Sequence, residues 1–316
     1  MYQLFQFIWH VLEEGYQWSG PVREFDVAVN RHDEPALIEL GETRRPYKPE
    51  PDLFLEFASI DPNSDAEILR FANSYGLLGS GLRTLAPEPK RKGERITAAT
   101  GELRSHWQEH LHRMKAAVSL WEAIKAADTS VLDRCIRWRS RDHVTYDWPP
   151  SSEWTTPWST HATIASPTTN SHLLKRFERG EVVKPARYYL QEVVNKSLAE
   201  LVAPRLLWIA PDRKTMGLFI VPDTLIGCLW LQLASAIADF CKFRLCEGCD
   251  KPMLVAPEGS GYRTNRKTCS NACRIRLYSR RKLEARQLRD QKLSVREIAE
   301  RLDTGAEQVK RWIAER

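Results

Sequence analysis

Four cysteines in the last quarter of the chain have the residue type and spacing of a metal site. Cys246 and Cys249 form a C-x2-C pair, and after 19 intervening residues Cys269 and Cys273 form a C-x3-C pair. Tetrahedral zinc is commonly held by two such pairs, because each pair presents two thiolates from neighbouring backbone positions. Four thiolates also close the coordination sphere and leave no position for a reactive water. The spacing therefore predicts one structural Zn²⁺ ion and no catalytic metal.

Other uses of cysteine fit this sequence less well. The chain has seven cysteines and no recognisable export signal, which disfavours a disulfide framework. A thioredoxin-like redox role for the first pair would need a surrounding βαβ pattern, which is missing. Cys241 lies five residues before Cys246 and is the one competing ligand. Cys135 and Cys228 lie in apolar helical segments, where we expect packed thiols.

The residues between and after the cysteines predict how the site is positioned. Gly248 lies inside the first pair, where the backbone must turn tightly. The second pair lies where a helix would begin, and Ser270 or Asn271 can cap that helix. The positive end of the helix dipole would then stabilise the thiolates. This layout predicts a treble-clef or ribbon-like zinc module that leads into a helix.

The excess positive charge of the chain is concentrated in the same region. Residues 246–316 carry 17 Lys and Arg against 10 Asp and Glu, whereas the rest of the chain carries 30 against 31. A single dominant sign on one segment indicates a polyanion-binding surface, although a solvated face is the alternative. The predicted nucleic-acid contacts here are Arg263, Arg266, Lys267, Arg274, Arg276, Arg280, Arg281, Lys282, Arg286 and Arg289.

The segment 294–313 has the pattern of two short helices joined by a turn. Ser294 can cap the first helix, and residues 303–305 break it. The apolar residues at helical spacing are Ile298, Ala299, Leu302, Val309, Trp312 and Ile313. This pattern indicates a helix-turn-helix, with an ordinary αα-hairpin as the alternative. The residues that would face nucleic acid from the second helix are Gln308, Lys310 and Arg311.

Residues 246–285 resemble the zinc module of a known bacterial family. The pattern C-x2-C, then R-x2-R-x2-C-S-x2-C-R and a basic helix, is similar to the end of bacterial CGNR-type zinc-finger proteins. Those proteins are transcriptional regulators with an α-rich, ABATE-type N-terminal region. The resemblance implies DNA contact by the basic helix and zinc ligation by Cys246, Cys249, Cys269 and Cys273. The family's Cys-Gly-Asn-Arg signature is replaced, because Cys273 is followed by Arg274.

The first 240 residues show no catalytic constellation in sequence. LLGSGLRT, 77–84, contains only G-x-G and lacks the strand and helix of a phosphate-binding loop. His106 and His110 could share a metal from one helix, but without a carboxylate motif we expect them to flank its buried face. The Trp-rich segment 148–158 could line a ligand pocket, although packing is the favoured interpretation.

The hydrophobic periodicity predicts an α+β fold that is mostly helical. The predicted regions are a mixed α/β region (1–90), a helical sensor or dimerisation region with a β-hairpin near 206–221 (91–243), a four-cysteine zinc module with its basic helix (244–290) and a helix-turn-helix-like tail (291–316). Segments 77–95 and 140–170 lack periodicity and are predicted as loops. The apolar helix that begins near residue 224 is predicted to end near Phe243.

Composition narrows the class of protein further. With 42% hydrophobic and 28% charged residues, the chain is expected to be globular. Its longest apolar run, 224–240, is interrupted by Gln232 and Asp239, which disfavours a membrane span. We therefore expect a soluble, cytoplasmic protein without a membrane partner.

These observations favour a zinc-containing nucleic-acid-binding protein, most simply a bacterial transcriptional regulator that binds duplex DNA. The N-terminal region would then bind a small-molecule or protein effector or form a homodimer, and no enzymatic activity is expected. One alternative is a protein-interaction adaptor whose zinc module docks an acidic partner. Another is an enzyme of nucleic-acid metabolism whose active site in the N-terminal region is not recognised.

Overall fold

A computed structural model describes most of the chain, and this part divides into two compact units. The described residues are 3–4, 9–24, 31–50, 52–87, 98–148, 160–208, 216–238, 242–249, 252–255, 267–268, 270–302 and 304–314. Unit 1 is Met1–Ala238 and unit 2 is Asp239–Arg316.

The described elements are a mixture of helices and strands, as the sequence predicts for the fold class. The helices are α1 Leu53–Ser59, α2 Asp65–Tyr75, α3 Arg104–Ala126, α4 Thr129–Cys135, α5 Ser171–Leu174, α6 Val183–Leu201, α7 Leu225–Ala238, α8 Asn271–Asp290, α9 Val295–Arg301 and α10 Ala306–Ala314. The strands are β1 Gln3–Leu4, β2 Trp9–Leu12, β3 Tyr16–Glu24, β4 Arg31–Glu39, β5 Arg44–Tyr47, β6 Arg83–Pro87, β7 Ala99–Leu103, β8 Ile136–Ser140, β9 His143–Trp148, β10 Thr160–Ala165, β11 Val202–Leu207, β12 Gly217–Pro222, β13 Lys242–Leu245 and β14 Pro252–Val255.

The strands of unit 1 form several small sheets. Four of them close into a barrel in the order β3-β4-β7-β6, and β2 pairs with β5. The two three-stranded sheets have the orders β10-β9-β8 and β1-β12-β11. The barrel is filled by Val22, Ala36, Ile38, Leu85 and Leu103.

The long amphipathic helix α3 lies at the centre of the unit 1 core. As its periodicity predicts, one face of α3 is buried along its length, including Trp107, Leu111, Met114 and Trp121. It packs against α1, α6 and α7. Large aromatic side chains meet where α3 adjoins α1 and α2, and Trp107 lies against Phe57 of α1 and Phe71 of α2. The predicted hairpin is also confirmed, as β11 and β12 pair antiparallel from Val202↔Pro222 to Leu207↔Gly217.

Unit 1 contains more strand than the sequence predicts. The segment 140–170, predicted as a loop, contains β9 and β10, and the predicted loop 77–95 contains β6. The central region is therefore not simply helical. The loop prediction was wrong because the segment 140–170 lacks clear alternation, although its Thr, Tyr and Trp side chains suit a half-buried strand. Backbone pairing joins β9 to both β8 and β10, and the Tyr146 ring of β9 stacks on the Tyr189 ring of α6.

The apolar helix α7 is shorter than predicted. It ends at Ala238, and Phe243 lies in the strand β13 of unit 2. Within the described residues, no helix combines the length and the apolarity that crossing a membrane requires.

The described residues of unit 2 form a β-hairpin followed by three helices. β13 and β14 pair antiparallel and flank the first cysteine pair. The helices α8, α9 and α10 share one small core, which consists of Ala285, Leu288, Ile298, Ala299, Leu302, Val309 and Trp312. As predicted, Ser294 caps α9, and its side chain and that of Glu297 form a reciprocal capping box.

Candidate metal centre

Three of the four predicted ligands lie together in unit 2. The sulfur atoms of Cys246, Cys249 and Cys273 are all within 4.8 Å of one another. Zinc–sulfur bonds of about 2.3 Å in a tetrahedron place neighbouring sulfurs about 3.8 Å apart, so the cluster fits a single ion. Cys246 is fully buried and Cys273 is 6% exposed. The three cysteines are thus positioned to hold a metal ion, while Cys269 lies outside the described residues.

The first cysteine pair lies on a tight turn at the end of the β13–β14 hairpin. The Cys249 N–H donates to the Cys246 carbonyl at 3.2 Å and closes this turn. The Gly248 N–H is directed at the Cys246 sulfur, 3.4 Å away. An N–H group aimed at a sulfur favours the thiolate, which is the form that binds metal.

The third cysteine is held by the first turn of α8. The Ser270 hydroxyl accepts a hydrogen bond from the Cys273 N–H at 3.2 Å, so Ser270 is the cap and Asn271 is the first helical residue. Cys273 therefore lies at the positive end of a 20-residue helix. The helix cap and the first helical turn thus fix the position of the Cys273 side chain.

Gly248 allows the turn and the helix to approach each other. A Cβ atom at this position would lie 2.8 Å from the Cys273 carbonyl oxygen and 2.9 Å from its Cβ atom. Both distances are shorter than real Cβ contacts. Only glycine therefore fits between the two parts of the cluster.

Two of the predicted nucleic-acid contacts, both on α8, bind the turn between Cys246 and Cys249. Arg281 pairs with the Glu247 carboxylate at 2.8 Å, and Arg280 donates to the Glu247 carbonyl at 2.6 Å. The Glu247 N–H in turn donates to the Lys267 carbonyl at 3.0 Å. Glu247 was not singled out in the sequence, and only its position inside the C-x2-C pair could have indicated a role. These contacts attach the helix to the cysteine cluster.

Three further predicted contacts have intramolecular partners near the three-helix core. Arg286 donates to the Trp312 carbonyl at 3.0 Å, and Arg289 donates to the Leu293 carbonyl at 3.1 Å. Lys310 pairs with Glu307 at 2.6 Å. The first two bonds tie α8 to the segments that follow it.

The remaining predicted contacts differ in exposure. Arg274, Arg276 and Arg311 are exposed, and none has a hydrogen bond or ion pair with another described side chain. Lys267, Lys282 and Gln308 are half-buried. Arg263 and Arg266 lie outside the described residues.

His106 and His110 of unit 1 lie close together but gather no third ligand among the described residues. Their rings are 4.5 Å apart, and each Nε2 atom contacts the Ser80 hydroxyl, at 3.0 and 3.3 Å. Burial lowers the pKa of His106 to about 4 and that of His110 to about 3. Where the structure describes the chain, only the cysteine cluster unites three or more candidate ligands. The pair is thus a neutral, largely buried contact of the core.

The buried carboxyl group of Glu102 lies beside the loop that carries Ser80. Glu102 accepts hydrogen bonds from the Leu78 N–H at 2.9 Å and the Gly79 N–H at 2.7 Å. Burial raises the pKa of Glu102 to about 7 despite these bonds. Because the folded-state pKa is raised, the stability of unit 1 that depends on Glu102 is present below about pH 4.5 and is lost as the pH rises through 7.

Replacing Glu102 by Gln should therefore reduce the pH dependence of unit 1. Between pH 5 and pH 8 the wild type should lose about 2–3 kcal/mol of unfolding free energy relative to Glu102→Gln. Tryptophan fluorescence in a denaturant series measures this, since ten of the eleven Trp residues lie in unit 1. The same difference between the two proteins at both pH values would contradict the assignment.

The other cysteines of unit 1 are packed thiols, as predicted. Cys135 and Cys228 are buried, and burial raises the pKa of Cys135 to about 11 and that of Cys228 to about 12. Cys241 and the Trp-rich residues 149–158 lie outside the described residues.

Comparison with known proteins assigns the chain neither a family nor a function. No protein-family model, curated protein or solved structure matches the chain. A functional proposal for this protein therefore depends on the geometry of the cysteine cluster and of α8.

Proposed function

We propose that unit 2 is a zinc-stabilised nucleic-acid-binding module and that the chain is a DNA-binding transcriptional regulator of the CGNR-like kind. The observation that carries the proposal is the position of α8. Its first turn holds Cys273 of the cluster, and its last turns supply Ala285 and Leu288 to the three-helix core. A basic helix fixed at both ends presents its exposed arginines in a defined arrangement, which suits a regularly spaced phosphate backbone.

Zinc is the metal that the ligands favour. Thiolate-rich, buried sites select zinc or iron–sulfur chemistry, and two short-spaced pairs suit one tetrahedral zinc ion. Cys246, Cys249 and Cys273 would hold the ion together with Cys269. The ion would join the turn that carries Cys246 and Cys249 to the start of α8. This structural role needs no open coordination position.

The three-helix core supports a helix-turn-helix assignment. α9 and α10 are joined by a short turn and pack on α8 through Ile298, Val309 and Trp312. In this arrangement α10 would be the helix that enters the major groove. Its exposed residues Lys310 and Arg311, with half-buried Gln308, would supply contacts to phosphates and base edges.

The test uses exposed basic residues that form no hydrogen bond or ion pair with another described side chain. In a triple variant, Arg274, Arg276 and Arg311 are replaced by Ala, which leaves the Glu247 contacts of Arg280 and Arg281 intact. Fluorescence anisotropy with a random-sequence duplex at several salt concentrations gives the salt slope for each protein. The slope is expected to fall by about 0.9 for each phosphate that the variant no longer neutralises, so by up to about 3.

A matched control removes the same number of charges from unit 1. Lys175, Arg176 and Arg179 are exposed, and their replacement by Ala should leave the salt slope unchanged. Absence of duplex binding by the wild type at low salt would contradict the proposal. In that case an acidic protein partner becomes the better candidate, because the same basic surface would suit it.

Unit 1 would provide regulation in this proposal. A regulator needs a part that responds to a signal or pairs two copies, and unit 1 has the size and the core for that role. We assign it no catalytic activity. Turnover of a nucleic-acid substrate by the purified protein, abolished by substitution of a unit 1 residue, would overturn this part of the proposal.

A further inference from the structure

A large apolar surface is exposed on the β11–β12 hairpin of unit 1. Four large hydrophobic side chains there are half or more exposed, and they are Leu206 (63%), Trp208 (61%), Met216 (61%) and Leu218 (50%). Elsewhere in the described part of unit 1, only Leu40 and Leu82 are comparable, at 46% each, and neither belongs to the hairpin. A contiguous apolar patch of this kind on a protein surface usually marks an interaction site.

The strand register places these side chains on one face of the hairpin. Leu206 pairs directly with Leu218, and Pro204 pairs with Ile220 on the same face. Trp208 and Met216 follow one step beyond the last pair. The opposite face carries Phe219, which is buried. The hairpin therefore presents one face to the protein core and one apolar face outward, and we call the outward set (204, 206, 208, 216, 218 and 220) the hairpin face.

The hairpin face carries no charged side chain. The nearest charged residue on the strands is Arg205, which belongs to the opposite face and pairs with Asp223. A nucleic acid would need positive charge on the surface that binds it, so it is a poor occupant. Two copies of an uncharged apolar surface can instead pack against each other, because no charge is buried between them.

Strand order adds a second feature. β11 is the last strand of the order β1-β12-β11 in the described part of the chain, so one side of it is an edge. An exposed edge beside an apolar face can pair with an identical edge from another molecule in a symmetric arrangement. Pro204 in β11 is compatible with this position, because proline is confined to edge strands within sheets.

We propose that the hairpin face is the contact surface of a homodimer of this chain. The exposed parts of the four large side chains amount to about 500 Å² per copy. Two copies facing each other would bury on the order of 1,000 Å², which is the lower bound for a specific protein interface. The hairpin main chain and the flanking side chains would add to this area. Self-association through this face requires neither metal nor nucleic acid.

The test is sedimentation velocity of the full-length protein over a wide concentration range. The wild type is expected to form a dimer. The double variant Leu206→Glu/Leu218→Glu places carboxylates opposite their symmetry mates and should weaken the dimer by on the order of a hundredfold. Leu40→Glu/Leu82→Glu is the matched control, because it adds the same charges at exposed leucines outside the hairpin, and it should leave the dimer intact.

Folding is checked in the same samples. The circular dichroism spectrum and the pattern of limited trypsin digestion show whether each variant is folded and whether unit 2 is intact. If the glutamate variant is unfolded, Leu206→Gln/Leu218→Gln removes the apolar contact without adding charge, and dimer weakening is expected for it as well.

Three outcomes would overturn the proposal. The first is a wild type that stays monomeric at every concentration. The second is a dimer that the hairpin substitutions leave unchanged. The third is a monomeric protein that sediments with phosphatidylcholine vesicles and no longer does so in the hairpin variants, which would identify the face as a membrane contact.

Discussion

Replacing Cys273 with Ser is expected to abolish metal binding and to unfold unit 2, while unit 1 stays folded. Unit 2 is small, and its three-helix core contains seven buried residues. A core of that size contributes little stability alone, whereas a structural zinc site contributes on the order of 10 kcal/mol. Loss of one of the three clustered thiolates removes most of that contribution. The metal content of the purified protein and the pattern of limited trypsin digestion measure the two effects.

The digestion is informative because unit 2 is rich in Arg and Lys. We expect rapid cleavage beyond residue 238 and a resistant fragment that corresponds to unit 1. Cys135→Ala is the control, since Cys135 is buried in unit 1 and lies outside the cluster. It should keep the full metal content. A Cys273→Ser protein with unchanged metal content and an intact unit 2 would refute a structural metal site.

In the proposed zinc site, replacing Gly248 with Ala is expected to weaken binding of the ion although all the cysteines remain. The added Cβ atom would meet the Cys273 carbonyl oxygen at 2.8 Å, and this neighbour is backbone and cannot rotate away. The turn between Cys246 and Cys249 must therefore move away from α8, and this movement separates the Cys246 and Cys273 sulfurs. Changes of this kind around a metal site typically lower affinity by about 10- to 100-fold. Competition with a chromophoric zinc chelator gives the affinity directly.

Gly305→Ala is the matched control for the glycine substitution. Gly305 belongs to unit 2, and nothing lies within 4 Å of a Cβ atom at this position. The zinc affinity of this variant should equal that of the wild type. Equal affinities of the Gly248 and Gly305 variants would mean that the close approach at Cys273 does not matter for metal binding.

The cysteine cluster is the part of the molecule that local sequence predicts best. Its cysteines come in pairs separated by two or three residues, and the signals that place each pair are short-range. Ser270 caps the helix that carries Cys273 three residues later. Each signal acts over three or four residues, so spacing and residue type are sufficient.

Weak alternation explains most of what the sequence did not predict. The strands β9 and β10 pair with strands that neighbour them in the chain, but their own sequences do not alternate clearly between apolar and polar residues. The exposed face of the β11–β12 hairpin also could not be predicted, because alternation shows which residues share a face but not which face is covered. Among the basic residues, sequence could not separate Arg281, which pairs with Glu247, from Arg276, which is exposed.

The helix α8 couples the stability of the cysteine cluster to that of the three-helix core. It has 20 residues and a length of about 30 Å, and it carries a cluster cysteine at one end and core residues at the other. A ligand that stabilises either end of an unbroken helix stabilises the other, and such coupling is reciprocal. In the proposed function, bound duplex would raise the affinity for zinc by the same factor by which zinc raises the affinity for duplex. A chelator that removes zinc would then weaken nucleic-acid binding without contacting the protein surface that binds the nucleic acid.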